Sequence, residues 1–365
     1  MTVEAADVAI TDLLQSCSVE IDTTTRRLAE YSYDASNYRL TPVGVAFPRS
    51  ATEVSEVMAV CHQAGLAIIA RGGGTSMAGN AIGGGLVLDF SRYMDQVVSI
   101  DPHTRTAVVE PGIILSELSQ AVEAHTGGTL TFAPDPSSKT RATVGGSVAN
   151  DACGNHSVRY GRTADHVVSL DLVLADGTRL TATRSGIDAT DPDDTHAAGR
   201  AEQITAQLKD LTRDYLSQFR LELGQIPRQV SGFHLSHLLP ENGFDVARAL
   251  VGSEGACAIV VGATVGLVDV PASALLLILA TTTSSTPPAT SQPSCNIPPP
   301  PSKASTSRSW RQCGPAAAPT RSPTSPPATP GCMSTSTATT STPSPPGATT
   351  AHRTPGERAG PRRPR

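Results

Sequence analysis

The chain has 365 residues, 28 Lys or Arg against 33 Asp or Glu, a net charge near −5, and 39% apolar side chains. That length allows two or three domains, but the averages cover two unlike materials: residues 1–280 alternate apolar runs, helical patterns and glycine turns, and residues 281–365 are mostly Pro, Ser, Thr, Ala and Arg. The second segment holds nine Lys or Arg and one acid, Glu357, leaving 19 basic and 32 acidic residues ahead of it. An acidic body argues against nucleic acid as a partner, and the scattered cations of the tail form no cluster.

The seven cysteines show no metal-ligand spacing, so no metal site is expected, and an odd count in an enzyme-like body points to reduced thiols in a cytosol. No basic start followed by an apolar stretch marks a signal peptide. The longest apolar run, residues 272–280, is too short for a transmembrane segment.

In chain order, residues 3–14 read as an amphipathic helix. Tyr31-Ser32-Tyr33-Asp34-Ala35-Ser36-Asn37-Tyr38 reads as a surface loop whose tyrosines pack on the body. A strand over residues 43–47 ends at Pro48, and Thr52 is expected to cap the next helix, with Glu53 and Glu56 in its first turn. Val54, Val57, Met58 and Cys61 form the buried stripe of that helix, and Gly65 stops it.

The apolar run 66–70 is a strand, and it delivers the chain to Arg71-Gly72-Gly73-Gly74-Thr75-Ser76-Met77-Ala78-Gly79-Asn80-Ala81. Consecutive glycines can turn several N–H groups onto one point, a concave nest for phosphate. Thr75 and Ser76 add hydroxyl donors, and Arg71 is expected to place a positive charge at the mouth. No Gly-Lys-Ser/Thr follows, which excludes a P-loop, and the loop runs from strand to strand, unlike a Rossmann fingerprint. The alternative is a flexible turn without chemistry.

Residues 86–90, 97–101 and 106–110 are further strands, Pro111-Gly112 breaks the pattern, and residues 115–124 are helical, with His103 and His125 on the surface. The stretch from Pro134 to Gly161 is long, rich in small residues and poor in bulk. Thr143 can cap a short helix whose amides begin at Gly145-Gly146, a second anion-friendly site. A strand over 165–175 turns at Asp176-Gly177 into 178–183, residues 186–200 read as an exposed polar loop, and 201–221 as one amphipathic helix with Ile204, Leu208, Leu211, Tyr215 and Leu216 on one side. Val251-Gly252-Ser253-Glu254-Gly255 is a glycine turn feeding a buried strand, and 268–280 begins another strand before the pattern collapses.

Taken together, the glycine loop, the 134–161 stretch and Val251-Gly252-Ser253-Glu254-Gly255 resemble, in this order, the signatures of FAD-linked oxidases of the vanillyl-alcohol-oxidase type, which carry a PCMH-type FAD domain. Cys153-Gly154-Asn155-His156-Ser157 and the 31–38 segment are similar to the bacterial flavin subunits related to D-lactate and D-2-hydroxyglutarate dehydrogenases. The resemblance implies an α+β fold, a two-lobed PCMH-type FAD-binding domain followed by a disordered low-complexity tail. It divides the chain into a helical lead-in (1–40), the FAD domain (41–270), the first strand of a missing substrate or cap domain (271–280) and the tail (281–365).

By position, the resemblance implies that FAD is held by Arg71, Gly72, Gly73, Gly74, Thr75, Ser76, Gly79, Asn80 and Ala81, and by Pro134, Asp135, Thr143, Gly145, Gly146, Ala149, Asn150, Gly154 and Gly161. It further places Pro111 and Gly112 near the flavin ring, backbone at Val168 against the adenine, and Glu254 and Gly255 against the flavin. For Pro111-Gly112 an ordinary strand-to-helix turn remains the plainer reading. Thr75 stands where histidine-linked relatives carry His, which implies non-covalent FAD; Cys153 and His156 read as structural. Asp151 replaces an expected Asn, and Ala256 an expected Thr.

The implied chemistry is oxidation of a D-2-hydroxy acid, of the D-lactate or D-2-hydroxyglutarate type, by hydride transfer to flavin N5. The base belongs to the missing domain, so no catalytic residue is named. The electron acceptor would be a quinone, a cytochrome or an iron–sulfur partner, and the location cytoplasmic or peripheral at the inner membrane. A non-catalytic FAD-binding fragment is the alternative. An NADPH-dependent nucleotide-sugar reductase is a third reading, which Cys153-Gly154-Asn155-His156-Ser157 disfavours. The tail is either a disordered Pro/Ser/Thr segment or, the reading favoured here, the product of a frame shift in GC-rich DNA.

Overall fold

A computed structural model describes residues 17–223 and 232–273, all within a unit spanning Met1–Leu276. The expected helix at 3–14, the end of the expected strand at 268–280 and the whole tail lie outside the described residues.

The first sheet holds β1 (Glu20–Asp22), β2 (Gly44–Phe47), β3 (Ile68–Arg71) and β4 (Leu86–Asp89) in the order β1-β2-β4-β3. β2, β4 and β3 are parallel, and β1 pairs antiparallel with β2. Parallel neighbours need a crossover, supplied between β2 and β3 by the helix Ala51–Ala64. Each residue of β2 and of β4 is buried, the pattern of a strand covered on both faces.

In the helix Ala51–Ala64, Val54, Val57, Met58 and Cys61 are buried as the periodicity predicts, and Gly65 ends it at φ 64°. The cap is a correction: Ser50, not Thr52, accepts the Glu53 amide at 3.2 Å, and the Glu53 carboxylate accepts the Arg49 amide at 2.8 Å. Both hydroxyl residues suit a cap; the extended backbone of Ser50 decides which is used. Ser50→Ala is expected to cost about 1 kcal/mol in urea unfolding, with Thr52→Ala close to neutral.

The second sheet is antiparallel. It holds β5 (Val97–Asp101), β6 (Thr106–Val109), β8 (Val167–Val173), β9 (Arg179–Ala182), β10 (Ile187–Ala189) and β11 (Ile259–Gly266) in the order β10-β9-β8-β11-β6-β5. β7 (Leu130–Thr131) pairs with β12 (Val268–Asp269). Alternation along β8, and a bulge between Val260 and Gly262 that turns the face of β11 over, serve two cores. Leu170, Leu172, Ala263 and Val265 pack with Leu115, Leu118 and Val122 of the helix Leu115–His125. Val173, Ile259 and Val261 meet Val54, Val57 and Cys61, so the helix Ala51–Ala64 joins the first sheet to the second.

Three expected elements are corrected. Residues 186–200 are not an exposed loop: Ile187 is buried in β10, and Asp194 caps a helix, Thr195–Asp214, by accepting the Ala197 amide at 2.9 Å. Asp191 and Asp194 accept a turn amide and the cap amide while staying exposed with the rest of 191–196. The helix expected over 201–221 therefore starts earlier and breaks at Tyr215, which is half exposed; Leu216–Leu221 follows as a separate helix. Asp165 and His166 belong to a short helix, Thr163–His166, ahead of β8. The strand expected from 268 begins there, and Val268–Asp269 pairs with β7.

Candidate functional site

The glycine loop leaves the carboxyl end of β3 and returns to β4. Crevices outside the carboxyl ends of parallel strands are where such sheets bind ligands. Among the described residues, the amides of Gly73, Gly74, Thr75 and Ser76 donate to no protein acceptor, although these residues are half-buried. Unpaired amides in such a setting await an acceptor from elsewhere.

The Arg71 guanidinium donates to the Ala81 carbonyl at 3.0 Å, lies 5.0 Å over the Tyr31 ring, and borders Gly74 through Nη2. Tyr31 in turn donates to the buried Asp89 carboxylate. Ser76 closes the loop tip by accepting the amides of Ala78 and Asn80 at 3.3 and 3.2 Å. The 31–38 segment clasps the loop: the Ala35 amide reaches the Gly74 carbonyl at 3.1 Å, Asp34 accepts the Ala81 amide at 3.3 Å, and the Tyr38 ring borders Gly79. Sequence reasoning missed Asp34; its place two residues before Ser36, whose amide it accepts at 2.8 Å, was the only signal.

The second stretch lies against the first. A Cβ on Gly72 would overlap the Thr143 hydroxyl, and one on Gly73 the Arg141 carbonyl, so only glycine permits this approach. Thr143 caps Val144–Asn150 as expected, accepting the Gly146 amide at 3.2 Å. The first-turn amides are not open to an anion, however. Val144 donates to Ile113, Gly145 to Pro111 at 2.8 Å, and Gly146 to the cap. The anion-friendly site expected at Gly145-Gly146 is therefore corrected: those amides tie the helix to its support. Pro111 and Gly112 are buried beneath it, with the Gly112 amide on Met94 at 2.7 Å.

Further on, Pro134 is buried and the Asp135 carbonyl touches Gly154 so closely that a Cβ there would clash. Asp135 accepts the His156 amide and meets His156 Nδ1 at 2.6 Å. Gly161 turns at φ 86° beside Asp165, and Val168 follows in β8, half-buried.

The third stretch docks onto the second. The Gly252 amide donates to the Val148 carbonyl and the Glu254 amide to Ala149, each at 2.9 Å, and Asn150 Nδ2 donates to Glu254 at 2.9 Å. Gly255, Ala256, Ala78 and Asn80 are more open. Asp151, the expected departure, is buried with φ 56°, and it faces two residues that sequence reasoning missed, Arg162 and His234. Among the described residues no cluster of three His, Cys, Asp or Glu could hold a metal, and no helix is long and apolar enough to cross a membrane.

A parallel sheet with an open amide loop at its carboxyl ends, braced by an antiparallel sheet and two small-residue stretches, forms an α+β domain whose loop suits an anion. Residues 42–183 match the family described as FAD binding domain, which supports FAD as the cofactor. The chain is similar to the D-2-hydroxyglutarate dehydrogenase of Pseudomonas putida, 31% identical over 246 residues that cover 66% of this chain and 24% of that protein. The glycolate oxidase subunit GlcD of Bacillus subtilis is 32% identical over 244 residues, 66% of this chain and 40% of that one. The chain thus spans well under half the length of these curated relatives. An alkyldihydroxyacetonephosphate synthase structure shares the fold, with TM-score 0.51 and 18% identity over 73% of this chain and 44% of that one.

Proposed function

We propose that this chain holds FAD without a covalent bond and serves a FAD-dependent oxidoreductase acting on a D-2-hydroxy acid of the D-lactate or D-2-hydroxyglutarate type. The observation that carries the reading is the row of open amides from Gly73 to Ser76, half-buried at the carboxyl end of β3. Such a row suits a pyrophosphate, since several N–H dipoles converge on an anion without the desolvation cost of buried lysines. In this reading Arg71, Thr75, Gly79, Asn80 and Ala81 complete the first cradle. Pro134, Asp135, Ala149, Asn150, Gly154 and Gly161 line the second, Val168 offers backbone to the adenine, and Glu254 and Gly255 close the third side. Thr143, Gly145, Gly146, Pro111 and Gly112 support these surfaces from behind. Thr75 has no nucleophilic nitrogen for a flavin bond, which supports non-covalent binding.

When bound, FAD supplies the hydride acceptor. The protein's part is to orient it and exclude water from one face. The relatives named for a hydroxy acid support the substrate class. A second reading, a FAD-holding part without turnover of its own, is favoured by the 24% of the Pseudomonas putida enzyme that this chain covers.

The test is a visible spectrum of the purified protein after FAD reconstitution, followed by anaerobic D-lactate or D-2-hydroxyglutarate. A flavin spectrum that bleaches supports the first reading, and one that stays oxidised supports the second. No flavin after reconstitution overturns both.

A further inference from the structure

Asp151 stands where the chain leaves the helix Val144–Asn150 for the loop that carries Gly154 and Gly161. Its backbone is left-handed, a conformation that Asp tolerates better than most residues. Its carboxylate gathers two hydrogen bonds and one ion pair from separate segments. Oδ1 accepts the Ala164 amide at 2.9 Å, and Oδ2 meets His234 Nε2 at 2.8 Å and Arg162 at 2.9 Å. Burial alone would raise the pKa of Asp151, but His234, the Ala164 amide and Arg162 outweigh it and hold the carboxyl below its usual 3.8. An ionised Asp can only accept, so His234 must carry its proton on Nε2.

These contacts join the pieces of the proposed FAD site. Thr143 to Asn150 precede Asp151; Gly154, Gly161 and Val168 follow it through Ala164. His234 belongs to the segment that abuts the third stretch: its amide donates to Ala249, and its ring lies 3.6 Å from where a Cβ on Gly252 would stand. We infer that the Asp151–His234–Arg162 cluster positions the second and third FAD-binding stretches against each other and thereby sets the affinity for FAD. The inference rests on the FAD reading above. An Asn at this position would lose the charge that faces Arg162 and could offer a donor where His234 also donates, so this chain's Asp and its two partners work as a set. Removing one partner leaves the others buried and uncompensated.

The test is FAD affinity, followed by flavin fluorescence, in the full chain and in Asp151→Asn, His234→Phe, His234→Gln and Arg162→Lys, with apoprotein melting recorded beside it. Coupling of this kind is typically worth about tenfold in affinity. Asp151→Asn and His234→Phe should therefore weaken FAD about tenfold. His234→Gln, which keeps a donor, and Arg162→Lys, which keeps the charge, should stay within about threefold of the parent. A cluster that only stabilises the fold would lower the melting temperature of apoprotein and leave the affinity of folded protein unchanged, and that result overturns the inference. So does equal weakening by His234→Gln and His234→Phe, which also covers the case where Asp151→Asn does not fold. If the parent chain itself binds no FAD, the functional reading falls first and this inference with it. If the parent binds and the variants match it, only the inference falls.

Discussion

Gly73→Ala is expected to weaken FAD binding by about 30-fold, the equivalent of about 2 kcal/mol of overpacking. The added Cβ would overlap the backbone carbonyl of Arg141, an atom that cannot rotate aside. The loop must lift off the second stretch, and the amides of Gly73, Gly74, Thr75 and Ser76 then lose their common focus. Gly72→Ala should be milder, because the Cβ there meets the Thr143 side chain, although that hydroxyl is also the cap of Val144–Asn150. Gly84→Ala is the control: nothing lies within 4 Å of a Cβ at that position, so affinity should stay within about twofold of the parent. A fluorescence titration of FAD compares the three. If Gly73→Ala binds as Gly84→Ala does, the loop does not hold the pyrophosphate.

Much of this geometry was legible because glycine is a positional statement. Runs such as Gly72-Gly73-Gly74 and Gly145-Gly146 signal close backbone approach, and the structure shows what approaches: Arg141 and Thr143 in one case, Pro111 in the other. The parallel unit around Ala51–Ala64 was legible from four apolar positions at helical spacing and a terminal glycine. What stayed hidden depends on partners distant in sequence. The contacts of Arg71 with Ala81 and Tyr31 stayed unread, because nothing near it in sequence reveals them. The Gly145 amide looked open, since its acceptor lies 34 positions earlier, at Pro111. The Asp-rich stretch before Arg200 read as solvated for a different reason. A three-residue strand such as Ile187–Ala189 is too short for alternation to register, and its pairing with β9 supplies the order. His234 carried no local signal at all; only the unexpected Asp151 hinted that a partner had to exist.

Buried His166 and half-buried His237 are expected to make stability depend steeply on acid. Burial, reinforced by Arg248 and His234, pushes His237 down to about 4, and burial also lowers His166 despite the opposing pull of Asp165 and of the Tyr160 carbonyl. In the unfolded chain both histidines take up protons near 6.5. Between that pH and their folded values the unfolded state binds protons that the folded state refuses, so stability falls as pH falls. Each histidine contributes a slope of up to about 1.4 kcal/mol per pH unit, and His237 up to about 3 kcal/mol by pH 4. Asp245 works the other way, because burial raises its carboxyl above 3.8 and the folded state then gains a proton first. Asp151 adds a lower window: its carboxyl is held below 3.8, so its contribution is complete above that pH and is lost as pH falls through the folded value. Urea unfolding at steps from pH 7 to pH 4 should therefore show most of the loss below pH 6.5, before Asp151 begins to titrate. His237→Gln should flatten the slope between pH 6 and pH 4.5 by up to about 1.4 kcal/mol per unit, whatever it costs at pH 7. An unchanged slope in that variant would mean that His237 takes up its proton in the folded protein as readily as in the unfolded chain.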